Sequence, residues 1–278
     1  MRFAMQYSPQ AIALLESGQI TIDLFKCPDW DDLIALASAH RPVYVHFPLM
    51  AGRGFDNVDW DKLERHLKQT GTRFVNMHLG PYTADFPDKT VHDDDPVWTE
   101  QLIERMLTDI VLVKNRFGAE RVILENVPYD ATPRYQIPRP VLKPDVIRRV
   151  VKESGCGLLL DTAHAHIAAL YLGIDPLDYL SQLPGELMRE LHITGVRYDD
   201  TPRSWEDHFE LTADDWRLAE FTFDKIKSGE WSAPDIVAFE YGGVGEKFAW
   251  RSRPEVISHD APRIYELMQS AQQELISS

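Results

Sequence analysis

The sequence predicts a (β/α)8 barrel, and three observations carry that prediction. Eight short apolar runs alternate with eight helix-like stretches along the chain, as expected for parallel strands joined by crossover helices. Runs such as VILEN, GLLLD and DIVAFE are apolar almost throughout, which is typical of strands buried on both faces. Pro144 opens one helix-like stretch, and Gly118 and Gly155 stand where glycine caps would end two others. Eight units of this kind close into one barrel.

Each predicted strand is short and is followed by a predicted helix. The strands span residues 2–6, 20–25, 43–47, 74–78, 122–126, 158–161, 190–193 and 236–240. The helices span residues 9–16, 30–38, 60–69, 97–117, 144–153, 162–172, 214–227 and 254–274. Because no low-complexity linker, charged tail or longer repeat interrupts this alternation, we expect residues 1–278 to form one domain.

Composition excludes several classes of protein. Hydrophobic residues make up 44% and charged residues 26% of the 278 positions, so the chain can bury a full core and is not disordered or fibrous. Two cysteines, Cys27 and Cys156, cannot build a disulfide framework or a cysteine-rich metal site. No window approaches the roughly 20 apolar residues that span a bilayer, and the first residues lack the apolar run of a signal peptide. We therefore expect a cytoplasmic protein with no membrane segment.

The charge balance argues against nucleic acid as a partner. The chain has 29 basic and 44 acidic residues, and its net charge of −15 repels polyanions. Nucleic acid is therefore disfavoured as a partner, and a small-molecule substrate stays open.

Residues of metal-ligand type end six of the predicted strands. In a barrel the carboxyl ends of all strands converge on one face, so these side chains would meet around one cavity. Two further groups extend the set, Asp161-Thr-Ala-His164 and the loop Glu206-Asp207-His208. The nine candidate metal ligands are His46, His78, Glu125, Asp161, His164, His192, Glu206, His208 and Glu240.

These side chains could not share a cavity without cations. Like charges a few ångström apart repel, and an uncompensated buried charge is costly. A single histidine at a strand end is more often a hydrogen-bonded structural residue, but six such coincidences favour a metal cluster. Mixed imidazole and carboxylate ligands suit iron, zinc or manganese better than calcium or magnesium. The sequence therefore predicts a cluster of divalent ions, and the resemblance described next implies two or three of them. Arg134, in the proline-rich loop from Pro128 to Pro144, is a candidate for gripping an anionic substrate.

The motifs LLLDTAH, ELHITG and Glu-Asp-His resemble the xylose-isomerase-like superfamily of metal-dependent barrels. This superfamily includes endonuclease IV, sugar isomerases and epimerases, and multinuclear non-haem iron-dependent oxidative enzymes. The resemblance spans residues 43–241, and the order of the candidate ligands is similar to that of endonuclease IV. It implies one metal on His46, His78 and Glu125. A second would take Glu125, Asp161, His192 and Glu240, and a third His164, Glu206 and His208. The family usually has Asp where this chain has Glu206.

The stretch from DTAHAHIAALYLGIDPLDYLSQLP to ELHITG, followed by DHFELTADDW and FEYGG, is most similar to the iron-oxidase branch. That branch usually has Asn near the Asp161 motif, where this chain has His164. The resemblance implies dioxygen-dependent oxidation with Glu125 bridging two ions, and a peptide substrate delivered by a companion protein. With zinc instead, the same site would lower the pKa of a bound water to about 7 and favour hydrolysis.

Three other functions stay open from the sequence. A sugar or keto-acid isomerase would need one metal, proton transfer between Glu125 and Glu240, and His164 or Arg197 to orient substrate oxygens. A phosphodiesterase of the endonuclease IV type fits the ligand order but not the acidic charge. A metal-loaded barrel that only binds or carries a ligand is the non-enzymatic alternative.

Overall fold

The computed structural model describes residues 1–200 and 204–277. Its strands are β1 (Arg2–Gln6), β2 (Leu24–Pro28), β3 (Val43–His46), β4 (Met50–Ala51), β5 (Val75–Leu79), β6 (Val122–Glu125), β7 (Gly157–Asp161), β8 (Met188–Ile193), β9 (Gly195–Asp199), β10 (Ser204–Phe209) and β11 (Ile236–Phe239). Its helices are α1 (Pro9–Glu16), α2 (Asp31–Ser38), α3 (Trp60–Thr70), α4 (Pro96–Phe117), α5 (Pro144–Ser154), α6 (Thr162–Leu172), α7 (Pro176–Gln182), α8 (Ala213–Lys227) and α9 (Pro254–Ser277). Within these described ranges, no helix is both long enough and apolar enough to cross a bilayer.

The strands confirm the predicted (β/α)8 architecture. Nine parallel strands form one curled sheet in the order β3-β2-β1-β11-β8-β7-β6-β5-β4, in which β4 is only a two-residue extension beside β5. Helices follow the strands and cover the outside of the sheet, as in a barrel of this class. A separate antiparallel hairpin, β9–β10, follows β8. The carboxyl ends of eight strands therefore face one end of the molecule.

Side chains along each barrel strand alternate between two buried environments. Outward residues such as Phe3, Phe25 and Val45 belong to the main core cluster between sheet and helices. Inward residues near the strand starts form two smaller apolar clusters, Ala4, Leu24, Tyr44, Ile236 and Ala238 in one and Phe74, Ile123 and Leu159 in the other. The inward positions near the strand ends carry polar side chains instead. This layering explains why the strands read as nearly continuous apolar runs until their last residues.

The second strand differs from its prediction. It runs from Leu24 to Pro28, whereas residues 20–25 were expected to form it. Ile20 and Ile22 are buried, but they pack into the outer core from the loop that precedes the strand. Buried residues in this loop resemble those of a strand although their backbone pairs with no neighbouring strand. The predicted strand therefore ends at residue 25, one residue before Lys26. Helix α7 and the hairpin β9–β10 were not predicted.

Side chains close the sheet between β3 and β5. The Asn76 amide accepts a hydrogen bond from the Phe47 amide nitrogen at 2.7 Å and donates one to the Phe47 carbonyl at 3.0 Å. The Thr72 hydroxyl accepts from the Val45 amide nitrogen at 2.9 Å. These bonds satisfy backbone groups that a neighbouring strand would satisfy elsewhere in the barrel. We call this junction the seam.

Replacing Asn76 by Ala should destabilise the barrel. The change leaves the buried N–H and C=O of Phe47 without their partners, and each such group costs about 1–3 kcal/mol. We expect the free energy of unfolding in urea, measured with chelator present, to fall by about 2–4 kcal/mol. The matched control is Asn115→Ala on the exposed side of α4, which should change it by less than about 0.5 kcal/mol. Equal unfolding curves for both variants would contradict the role of the seam.

Candidate metal centre

The structure brings the strand-end residues into one cluster at the carboxyl end of the barrel. Six of them come from six different barrel strands or the residue directly after, and His164 and His208 join from α6 and β10. The residues that contact one another there are His46, His78, Glu125, Asp161, His164, His192, His208 and Glu240, together with Asp207. We call this set the polar cluster.

Glu125 lies at the middle of the cluster. Its Oε2 atom is 3.2 Å from His78 Nε2 and 3.4 Å from His46 Nε2. Its Oε1 atom is 3.5 Å from His164 Nδ1 and 3.7 Å from His192 Nδ1. One carboxylate therefore faces four imidazoles, which is the geometry expected of a group that can bridge two ions.

Two histidines have one ring nitrogen tied to a backbone carbonyl. His164 Nδ1 donates to the Asn126 carbonyl at 2.8 Å, and His208 Nδ1 donates to the Glu240 carbonyl at 2.7 Å. Because a carbonyl only accepts, the tied nitrogen carries a proton, and the other nitrogen has a lone pair whenever the ring is neutral. Metal-binding histidines are held in this way.

His192 is held by a carboxylate rather than by the backbone. Its Nε2 lies 2.7 Å from Glu190 Oε1, and Glu190 is 3% exposed. Its Nδ1 lies 3.0 Å from Glu240 Oε1 and 3.8 Å from Asp161 Oδ2. The pair therefore orients the imidazole so that its lone pair faces the other acids.

Asp161 has a separate task for each oxygen. It is the N-cap of α6, and its Oδ1 accepts a hydrogen bond from the His164 amide nitrogen at 2.8 Å. The Asn126 side chain continues the β6–β7 pairing by bonding the backbone of Asp161 at 2.8 and 2.9 Å. The other carboxylate oxygen, Oδ2, is buried and has no hydrogen-bond partner among the described residues. The fold thus fixes the residue and leaves one oxygen for a ligand.

The hairpin brings Asp207 to the cluster, one residue after Glu206, which the sequence predicts as a ligand. Glu206 pairs with Arg197 and Phe209 pairs with Gly195, so Asp207 and His208 oppose one residue and form a bulge. His208 has a left-handed backbone, with φ of 63°. Asp207 Oδ2 lies 3.1 Å from His164 Nε2, whereas the Glu206 carboxylate accepts a hydrogen bond from Ser204. The bulge therefore turns Asp207 toward the cluster.

Burial keeps most of the imidazoles neutral, which is the form that binds metals. It lowers the pKa of His78 to about 3 and that of His208 to about 4. It also holds the pKa values of His46 and His192 well below the ordinary value, with the Lys26 charge adding to the effect. These four rings need lose no proton before they bind a cation at neutral pH.

Glu125 and His164 behave differently. Burial raises the pKa of Glu125 to about 8. Burial would lower the pKa of His164, but the carboxylates of Asp161, Asp207 and Glu125 outweigh it and raise the value to about 10. In the metal-free protein, both Glu125 and His164 are therefore mostly protonated at pH 7, and these protons must leave before the two groups can bind a cation.

Lys26 and Glu190 are functional candidates that the sequence analysis missed. Lys26 is 5% exposed, projects inward from β2 and pairs with the Glu240 carboxylate. Burial lowers the pKa of Lys26 to about 8, although the charges of Glu125, Glu190 and Asp161 oppose the shift. A two-residue period from His192 would have placed Glu190 inside the barrel. The signal for Lys26 in the sequence is a charged residue between two apolar ones, Phe25 and Cys27.

The donor atoms fit a metal. Three groups have ligand atoms within 4.8 Å of one another, namely His46–Glu125–His192, Glu125–Asp161–His164 and Asp161–His192–Glu240. Glu125 Oε2, Asp161 Oδ2 and His192 Nδ1 are buried and unpartnered among the described residues. Unpaired polar atoms this deep are costly, and a cation would satisfy all three. Relative to the grouping expected from the sequence, His164 sits with Glu125 and Asp161 rather than with Glu206.

A cavity of about 840 Å³ opens beside the cluster, with His78 and His164 in its wall. The segments after β3, β5 and β6 supply most of the rest, including Tyr82 after β5 and Tyr135 after β6. Arg134, expected to grip an anionic substrate, is exposed next to Tyr135 and stacks on its ring at 5.5 Å.

Arg197, the other candidate substrate residue, lies on β9 of the hairpin. Its guanidinium is 3.4 Å from Glu210 and 3.9 Å from Asp215. The structure therefore places both arginines near the carboxyl end of the barrel, and Arg197 already faces two acids.

Solved structures share this fold. A xylose isomerase domain protein from Alicyclobacillus acidocaldarius has a TM-score of 0.55 and 17% identity, covering 96% of this chain and 99% of that one. An AP endonuclease of family 2 from Brucella melitensis has a TM-score of 0.56 and 15% identity, with coverage of 94% and 98%. A D-psicose 3-epimerase has a TM-score of 0.56 and 10% identity, with coverage of 98% and 99%. Identities this low establish the barrel and not the reaction.

Sequence relatives carry the name UPF0276. One from Acaryochloris marina is 24% identical over 238 residues, which are 84% of this chain and 76% of that protein. One from Alcanivorax borkumensis is 29% identical over 158 residues, which are 55% of this chain and 52% of that protein. The second alignment thus spans about half of the relative.

A family match covers the middle of the chain. Residues 30–229 match the family described as RiPP precursor modification enzyme MbnB/TglH/ChrH, where RiPP denotes a ribosomally made and later modified peptide. The matched range runs from the start of α2 to the end of α8 and includes every residue of the polar cluster except Glu240. Since it spans well over half of the sequence, the chain belongs to the MbnB/TglH/ChrH family of RiPP precursor modification enzymes.

Proposed function

We propose that the protein is a multinuclear non-haem iron oxidase that modifies a peptide. The observation that carries the proposal is the set of tied imidazoles around Glu125. His164, His192 and His208 each have one ring nitrogen bonded to a carbonyl or carboxylate. The opposite nitrogens of His192 and His208 face the other acids, and that of His164 lies 3.1 Å from Asp207 Oδ2, from which it would turn to a cation after losing its proton. A cluster of this size exceeds what a single ion needs.

The donor set supports iron. The nitrogen and carboxylate donors of the cluster suit iron, zinc or manganese, and the family membership favours the iron-oxidase branch. Iron bound there would supply one-electron chemistry with dioxygen. The chain would supply the frame: Glu125 would bridge two ions, and Asp161 would stay fixed by its helix cap. His164 and Glu125 would give up their protons to the solvent as the ions bind.

The cavity supports a peptide substrate. Its volume of about 840 Å³ can take several side chains, and it reaches the cluster at His78 and His164. Tyr82, Tyr135 and Ile137 give it apolar walls, while Asp130 and Arg53 add charge at the rim. A peptide side chain reaching His78 would be next to the ions, with its flanking residues against the aromatic walls. We further propose that residues 1–278 act as one barrel domain and that a companion protein presents the peptide.

The main alternative is a one-metal isomerase with proton transfer between Glu125 and Glu240. The Glu240 carboxylate already contacts Lys26, so it is not a free base in this structure. That mechanism also leaves His46, His78 and His208 without a task. The experiment that tests the oxidase proposal therefore removes these extra imidazoles.

The test uses protein loaded with Fe(II) under argon and then exposed to dioxygen. Peptides encoded beside the gene are the substrates, and the readouts are dioxygen uptake and peptide mass. We expect peptide-dependent uptake and an oxidised product, with no product under argon. The double variant His46→Ala/His78→Ala should lose at least one iron per chain and about 100-fold or more of the rate, since each ring faces Glu125. His259→Ala, at an exposed position of α9, is the matched control.

Two results would contradict the oxidase proposal. One is a purified protein that holds only zinc and consumes no dioxygen with any peptide. The other is full isomerase activity on a sugar by the double variant, which would support the one-metal isomerase instead.

Glu190→Gln should weaken metal binding without altering any group that faces the ions. The amide keeps a hydrogen bond to His192 Nε2 but removes the negative charge that strengthens the imidazole as a donor. We expect a Kd for Zn²⁺, measured by chelator competition, about 10- to 100-fold weaker than in the wild type. Glu186→Gln, at a surface ion pair with Arg148, is the control. Equal affinities in both variants would show that the pair does not tune the site.

Metal uptake should release protons at pH 7. Because the pKa values of Glu125 and His164 are raised to about 8 and about 10, both groups are largely protonated at pH 7 before binding, and a cation needs them deprotonated. We expect about one to two protons per chain, measured by calorimetry in buffers of different ionisation enthalpy. The sign follows directly: affinity rises with pH from 6 to 8. An affinity that is flat over this range would mean that neither group holds a proton in the metal-free protein.

A further inference from the structure

Lys26 brings a positive charge into the polar cluster itself. Its ammonium contacts Glu240 Oε1, the same oxygen that faces His192 Nδ1 at 3.0 Å. Its charge also acts on Glu125, Glu190 and Asp161. The side chain is almost wholly buried, so water cannot screen it. Any ion held through Glu240 would therefore lie next to a fixed cation.

Two of the three candidate groups compete for one atom. His192 belongs both to the group with His46 and Glu125 and to the group with Asp161 and Glu240. Its Nε2 is engaged by Glu190, so Nδ1 is the one nitrogen it can offer. A single imidazole lone pair binds one ion. The position of Lys26, on the Glu240 side, favours the His46 side for that ion.

Charge balance points the same way. Five carboxylates surround the centre, those of Glu125, Asp161, Glu190, Asp207 and Glu240. Two divalent ions, the Lys26 ammonium and the Arg251 guanidinium, whose charge acts on Asp207, together supply six positive charges against these five negative ones. A third divalent ion would leave three positive charges uncompensated in a buried site, which is unfavourable.

We propose that Lys26 takes the place of a third metal ion, closing the Asp161–His192–Glu240 group and setting the tight metal content at two per chain. One ion would lie between His46, Glu125 and His192. The other would lie between Glu125, Asp161 and His164. This inference rests on the metal centre of the proposed function but not on its oxidative chemistry. Lys26 is accordingly a positioning residue, since it acts through Glu240.

The experiment counts bound Zn²⁺, which is redox-inert, in metal-free protein titrated by calorimetry and checked by elemental analysis after gel filtration. The wild type should hold two ions per chain. Lys26→Met, which keeps the length of the side chain and removes its charge, should hold three, because His78 can replace His192 on the His46 side. Lys114→Met is the matched control: Lys114 donates to the Ser154 carbonyl between α4 and α5, away from the centre, and its variant should hold two.

Glu240→Gln in the wild-type background supplies a second measurement in case Lys26→Met does not fold. If Lys26 closes the third group, this variant keeps two tight ions, whereas a true ligand would lose one. The proposal is overturned by three ions in the wild type, by the same count in Lys26→Met as in the wild type, or by loss of an ion in Glu240→Gln. Because the count uses zinc and no substrate, it stands even where the oxidase test fails, and a failed count leaves the oxidase test intact.

Discussion

The crowding of acids and imidazoles inside the barrel mouth is the constraint on which the rest of the structure depends. Glu125, Asp161, His192 and Glu240 are all nearly inaccessible to water, and their donor atoms lie within a few ångström of one another. Such a set is unfavourable unless protons or cations intervene. The chain meets the demand partly with its own charge, at Lys26, and partly with protons on Glu125 and His164.

Secondary structure and site use the same residues. Asp161 caps a helix with one oxygen and offers the other, and the carbonyls of Asn126 and Glu240 hold rings that face the cluster. Orientation is therefore set by the backbone of the barrel and not by flexible loops. A site built in this way is preorganised, because the groups that would bind an ion are already aimed before it arrives.

Much of the fold followed from the sequence, since alternation of short apolar runs with helical stretches is a strong signal. The strand-end residues followed too, because a strand places its last inward side chain at a known end of the barrel. Asp207 could not be found in this way: a bulge breaks the two-residue period that would have pointed Glu206 inward. Lys26 could not be predicted because the second strand was placed too early in the sequence. The buried Ile20 and Ile22 resemble strand residues, although they lie in a loop. The Asn76 closure depends on side chains bonding to a distant backbone, which leaves no periodic trace.

The seam gives the barrel wall an uneven stiffness. Elsewhere adjacent strands are joined by backbone ladders, but between β3 and β5 the amide of Asn76 and the hydroxyl of Thr72 make the join. His46 and His78 stand on opposite sides of this junction, with ring centroids 5.3 Å apart. An ion held by His46, Glu125 and His192 would join β3 to strands on the far side of this junction. Metal binding would then also make the barrel open less readily at the seam, and backbone hydrogen exchange next to the seam would slow when metal is present.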